Sequence, residues 1–184
     1  SVVRPSCCSS RNSAPAGATP GANTATYSVS RSPSAFSYMN CARGLPGWLA
    51  SPGIEEMWKV GAEEGLNMCL LINPEALGPV ARMCAKHPQT PVVIDHFARV
   101  GMAGPLKRAD LDQLLHLSKY PKVTLKTSAF YALGKKTPPY LDLGPMIKEC
   151  RDSFGAERLM WASDCPFQVD PGHNYHDSIA LIRD

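Results

Sequence analysis

The first 54 residues contain no aspartate or glutamate, yet they carry four arginines. All 16 acidic residues of the 184-residue chain lie downstream, where 15 lysines and arginines balance them. The net charge of +3 therefore belongs to the N-terminal segment. The remainder has no lysine or arginine stripe and no interleaved aromatics, which excludes the footprint that nucleic-acid binding requires. No apolar run approaches the roughly 20 residues of a membrane-spanning helix, so the expected protein is cytoplasmic and makes no membrane contact. Cysteine is present but unpatterned. The seven cysteines are odd in number, form no Cys-x-x-Cys pair and mostly sit in apolar runs. That pattern excludes a disulfide scaffold or a cysteine zinc site and points to reduced, buried thiols.

Residues 1–47 are rich in Ser, Ala, Thr, Pro and Gly and show neither a helical nor an alternating apolar period. Such a segment cannot pack by itself and is expected to be disordered. Its Ser- and Arg-rich, acid-free composition also resembles an organelle transit peptide, which leaves targeting as an alternative to a bland tail. Order is expected from Trp48 to Asp184 as one domain, with 44% hydrophobic and 19% charged residues overall supplying an ordinary globular core.

Within that domain the apolar periods alternate in kind. Ser51 is placed to cap a helix with Pro52 at its first position and Ile54, Met57, Trp58 and Gly61 on one face, ended by Gly65. A buried strand follows over 67–72. Asn73-Pro74 then restarts a helix with Leu77, Val80, Ala81 and Cys84 inward. The run Pro91-Val92-Val93-Ile94 reads as a strand covered on both faces of a parallel sheet. A helix with Leu111, Leu114 and Leu115 inward leads to a third strand, Val123-Thr124-Leu125-Lys126. A helix with Leu143, Met146, Ile147, Cys150 and Phe154 inward ends at Gly155 and leads to the strand before Asp164. The last helix, from His173, is expected to bury Ile179 and Ile182. Four strand–helix units whose strands start roughly 25 to 36 residues apart are the pattern of right-handed parallel βαβ connections. Four units make a small open sheet or half of a (β/α)8 barrel.

Chemistry is expected where strands deliver their carboxyl ends. His96 follows the Val92–Ile94 run after Asp95, and Asp164 follows Leu159-Met160-Trp161 after Ala162-Ser163, so both emerge on one side of a shared parallel sheet. Arg99, Lys126, Ser128 and Tyr131 lie at strand ends or in the loops beyond them. They are candidates for holding a substrate carboxylate, Arg99 by a bidentate contact; Lys126 is equally suited to a buried ion pair. His173 and His176 are a weaker candidate ligand pair, while His87, His116 and Trp161 read as structural.

Three stretches, Val-Val-Ile-Asp-His96-Phe, Val-Thr-Leu-Lys126-Thr-Ser and Glu157-Arg-Leu-Met-Trp-Ala-Ser-Asp164-Cys-Pro166, resemble the C-terminal half of the amidohydrolase-related (amidohydrolase 2) family. The resemblance covers about Trp48 to Asp184. It implies an α/β fold, a partial TIM-type (β/α)8 barrel of about four C-terminal βα units. It also implies a hydrolase that opens a small carboxylated lactone, ester or amide with an activated water. Asp164 would then be the base or a metal ligand, and His96 a metal ligand or the group that polarises the substrate. The implied cofactor is a divalent metal, zinc or manganese, on His96 and Asp164, which can lower the pKa of bound water to about 7. No His-x-His pair, with which the family opens its first strand, occurs in this sequence. Two alternatives follow: a non-catalytic barrel fragment that lacks the first-strand metal ligands, and a metal-dependent decarboxylase on the same scaffold. The expected partners are a small-molecule substrate and, through open barrel edges, a second copy of the chain.

Overall fold

Parallel pairing is imposed by three short aliphatic strands, each followed by a helix too long to allow a hairpin return. In this computed structural model, which describes the backbone of residues 36–39 and the residues 52–183, the sheet order is β1-β2-β3-β4-β5, parallel throughout. The strands are β1 Phe36–Met39, β2 Met68–Leu71, β3 Val92–Ile94, β4 Val123–Thr127 and β5 Leu159–Trp161. Helices α1 Pro52–Glu63, α2 Leu77–Lys86, α3 Arg108–His116, α4 Gly144–Phe154 and α5 Tyr175–Arg183 follow them in turn. All described residues belong to one compact unit, Arg31–Asp184. The architecture is α/β, as the sequence predicts.

Register assigns the sheet two unlike faces. Leu70 aligns with Ile94, Ile94 with Leu125, and Leu125 with Leu159. Side chains alternate along a strand, so Met68, Leu70, Val92, Ile94, Val123 and Leu125 share the face that the helices cover; none is more than 1% exposed. They form one cluster with Trp58, Leu77, Val80, Leu114, Met146 and Phe154 from the helices. On the opposite face Cys69, Leu71, Thr124 and Lys126 remain half-buried.

Three expectations need correction. β1 lies inside the 1–47 segment expected to be disordered, because its two β-favouring residues, Phe36 and Tyr38, are swamped by the Ser- and Pro-rich composition around them. β5 reads from sequence as a buried strand, but it is the sheet's edge, with Met160 and Trp161 exposed. Helix α5 turns its other side inward. Ser178 is buried and accepts a bond from Trp161 Nε1 (3.0 Å), and Leu181 packs on the core, whereas Ile179 and Ile182 are exposed. The helical period permits either stripe, and the Trp161–Ser178 bond selects the one used. The expected Ser51 cap lies outside the described residues. No helix among the described residues is long and apolar enough to cross a membrane.

The arginine of the Arg158-Leu-Met-Trp stretch is structural. Its Nε donates to Phe154 O (2.7 Å) and its Nη1 to Tyr120 O (3.0 Å), tying the end of α4 to the entry of β4.

Candidate active site

Strands β3, β4 and β5 each run on into left-handed backbone. His96, Phe97, Ala98 and Arg99 form a left-handed turn with φ of 52°, 53°, 51° and 57°. Ala129 (φ 61°) follows β4, and Asp164 (φ 48°) follows β5. Such a conformation costs about 1–2 kcal/mol for each residue with a Cβ, so packing must hold it. Phe97, Ala98 and Val100 are fully buried, and the Phe97 ring lies 6.1 Å from that of Phe130. Burying the turn's apolar side chains leaves His96 and Arg99 half-exposed above the sheet. Strain concentrated at strand ends is a common property of functional sites.

The strands bring His96 and Asp164 together across 68 residues of sequence: Nε2 to Oδ1 is 3.5 Å. Tyr131 donates to the other carboxylate oxygen, Oδ2, at 2.9 Å. His96 Nδ1 meets Ser128 Oγ at 2.7 Å. The result is a chain Ser128–His96–Asp164–Tyr131. Burial lowers the His96 pKa, against the opposing pull of Asp164 and Asp95, and so favours the neutral ring. Burial and the Asp164 bond raise the Tyr131 pKa, which keeps its hydroxyl a donor.

A cavity of about 120 Å³ opens on this pair, lined by Leu71, His96, Arg99, Tyr131, Asp164 and Phe167 among others. A larger one of about 570 Å³ adjoins it, sharing Arg99 and Met102 and bounded by Asn73, Glu75 and Lys107. Arg99 Nη1 donates to Asn73 Oδ1 (3.3 Å), which steadies the guanidinium between the two spaces.

Of the six sequence candidates, His96, Asp164, Arg99 and Tyr131 line the small cavity, and two do not. Ser128 is fully buried behind His96. Lys126 pairs with Asp95 at 2.6 Å. One residue past the aligned Ile94 and Leu125, these two sit side by side on the same strand row, so the pair follows from register. The cavity walls also include Met102 and Phe167, which sequence reasoning missed. Phe167 stacks on Tyr131 at 6.3 Å, and only its place just after the Asp164 turn offers a hint. His173 and His176 do not converge: His173 Nδ1 bonds Tyr140 OH (2.9 Å) and His176 bonds Asp177.

The fit to a metal is partial. His96 and Asp164 offer two donors, but among the described residues no three His, Cys, Asp or Glu side chains are grouped to hold an ion. Catalytic zinc ordinarily takes three protein ligands, so the described residues do not by themselves make a metal centre. The third strand end that could contribute carries Asn73, which is engaged by Arg99.

The comparisons with known proteins agree with this architecture. L-fucono-1,5-lactonase from Burkholderia ambifaria is 28% identical over 126 residues, 68% of this chain and 43% of that protein. 4-Sulfomuconolactone hydrolase from Hydrogenophaga intermedia is 28% identical over 98 residues, 51% of this chain and 32% of that protein. Among solved structures, an amidohydrolase from Burkholderia multivorans with bound zinc superposes with a TM-score of 0.63 at 18% identity, over 74% of this chain and 50% of that one. The chain thus spans less than half the length of these curated relatives. The amidohydrolase family model matches residues 46–182, which take in every site residue described above, and this chain belongs to that family.

Proposed function

We propose that the chain carries the proton-handling half of a lactone hydrolase site. The observation that carries this reading is the His96–Asp164 pair, 3.5 Å apart in the wall of a cavity, with one nitrogen and one oxygen that have no short hydrogen bond among the described residues. At that separation the two groups are not strongly bonded to each other, and both are free to engage a water and a carbonyl. Two curated relatives, an L-fucono-1,5-lactonase and a 4-sulfomuconolactone hydrolase, carry names of lactone hydrolysis.

In the proposed reaction Asp164 Oδ1 accepts a proton as water oxygen attacks the lactone carbonyl. His96, neutral and donating through Nε2, steadies the negative charge that develops on the carbonyl oxygen. Tyr131 holds the carboxylate through Oδ2, so that Oδ1 is the oxygen presented to water. Collapse of the tetrahedral intermediate breaks the ring C–O bond. The proton held by Asp164 passes to the departing alkoxide, and the product is the open hydroxy acid. In this reading Arg99, which lines both cavities, meets a carboxylate on the substrate. Lys126 has a different task in this reading: its ammonium neutralises buried Asp95 beneath the site.

The test is hydrolysis of a panel of five- and six-membered lactones by the 184-residue chain and by Asp164→Asn. Loss of a general base lowers the rate by about 10²–10⁴-fold. An Asp164→Asn variant that retains full turnover would sink the assignment. A second reading has its own support in the sheet face left half-exposed and in the share of its relatives that the chain spans. In that reading these residues become active only against a partner surface that covers the open face, and sedimentation of the chain, with turnover rising as it associates, distinguishes it.

A further inference from the structure

The tautomer of a neutral histidine decides whether it donates or accepts toward its substrate, and here the surroundings determine it. His96 Nε2 faces a carboxylate oxygen at 3.5 Å. A bare nitrogen lone pair at that place would be repelled by the negative charge, whereas an N–H would be attracted. Favouring Nε2–H leaves Nδ1 as the acceptor nitrogen, and its neighbour at 2.7 Å is the Ser128 hydroxyl. Ser128 is 0% exposed, so no water competes for that contact. A hydroxyl can donate or accept, and a buried serine with a bare ring nitrogen at 2.7 Å donates. His96 and Ala129, the residue after Ser128, both hold left-handed backbone, so the contact joins two strained strand ends.

We propose that Ser128 is a positioning residue that holds His96 in the tautomer with its proton on Nε2, aimed at Asp164 and the cavity. The assignment rests on the hydrolase reading for its purpose, since an Nε2–H is the donor a developing oxyanion needs. It rests on geometry alone for its content. It makes His96 the electrophilic partner of the pair and leaves Asp164 as the base. Ser128, although sequence places it among the substrate-binding residues, acts on the substrate only through His96.

Nitrogen-15 NMR of histidine-labelled protein reads the tautomer without requiring turnover. The wild-type chain should show a pyrrole-type Nε2 and a pyridine-type, hydrogen-bonded Nδ1 for His96 at pH 7.5, with His96→Gln used to assign the signals. Ser128→Ala removes the donor and should move the ring toward a mixture of tautomers, whereas Ser128→Thr keeps a hydroxyl and should retain the wild-type pattern. Where lactone turnover is measured, Ser128→Ala should lower kcat by roughly 3- to 10-fold, the equivalent of one hydrogen bond, with KM little changed. A wild-type spectrum with the proton on Nδ1 would overturn the proposal, as would an alanine variant with an unaltered His96 pattern. If Ser128→Ala does not fold, the wild-type and threonine spectra still decide. Absence of lactone turnover in the wild type counts against the hydrolase reading alone, because the NMR result stands independently of it.

Discussion

The two faces of the sheet contrast sharply. On the helix-covered face, alternate residues from three strands are buried to within 1% of completely. On the other, Leu71, Thr124 and Lys126 are half-exposed, and the strands end in His96, Ser128 and Asp164. The first face is apolar and has stability as its task. The second carries a charged pair, a neutral histidine and a carboxylate, and its backbone is strained wherever a reactive group emerges. A closed (β/α)8 barrel fills such an inner face with layers of side chains. This chain keeps the outer layer intact and leaves the inner one partly open, so its stability and its chemistry can be altered almost independently.

The largest effect is expected where the two faces meet. Phe97 belongs to the left-handed turn but is buried against Phe130, so its packing anchors the strained segment that presents His96. Phe97→Ala should cost about 3–5 kcal/mol and loosen His96 at the same time, seen as a lower urea midpoint and a broadened His96 NMR signal. A variant that loses stability but keeps a sharp His96 signal would show that the turn does not depend on this anchor. Next come the faces themselves. Leu125→Ala, on the covered side, should cost about 2–5 kcal/mol. Leu71→Ala, on the open side, should cost less, about 1–2 kcal/mol, since part of its surface is already exposed. Equal losses in urea titrations would mean that the open face is covered in solution. Lys126→Ala should fall between them at about 1–3 kcal/mol, because it strands the buried Asp95 carboxylate without its partner. Lys126→Ala with Asp95→Asn should recover most of that loss.

The sequence disclosed the covered face and the strand ends because each has a local signature. Val-Val-Ile before Asp95 and Leu-Met-Trp before Asp164 reveal strands, and the residue after a parallel strand is fixed to one edge of the sheet. Relations across strands were not legible. The Lys126–Asp95 pair needs the β3–β4 register, and the role of Ser128 needs the distance to a ring 32 residues away. Helix α5 failed for another reason: Ser178 and Leu181 follow the same three-residue spacing as Ile179 and Ile182, and hydrophobicity alone favours the wrong pair. The N-terminal strand was hidden by averaging over a composition window longer than itself. In every miss but the N-terminal strand the deciding contact is tertiary, which single-chain periodicity does not contain.

The smallest effect expected is also the one that most directly separates the faces, because it is carried by protons and touches only the open side. Burial lowers the His96 pKa below the ordinary histidine value of about 6.5. The unfolded chain therefore binds this proton more readily than the folded one does. The folded state has its full stability above about pH 6.5 and loses it as pH falls from there through the lower, folded pKa, by about 1.4 kcal/mol per unit of difference. His87 is lowered in the same direction by burial, so the comparison must be between wild type and His96→Gln, which share His87. Urea midpoints measured from pH 8 to pH 5 should fall less in His96→Gln than in wild type. Asp164→Asn should widen the gap, because it removes the charge that opposes the burial penalty and so lowers the His96 pKa further. Curves for wild type and His96→Gln that remain parallel throughout would mean that the open face hydrates His96 as fully as the unfolded chain does. The Nε2–H donor would then rest on the Ser128 and Asp164 geometry alone, with no contribution from burial.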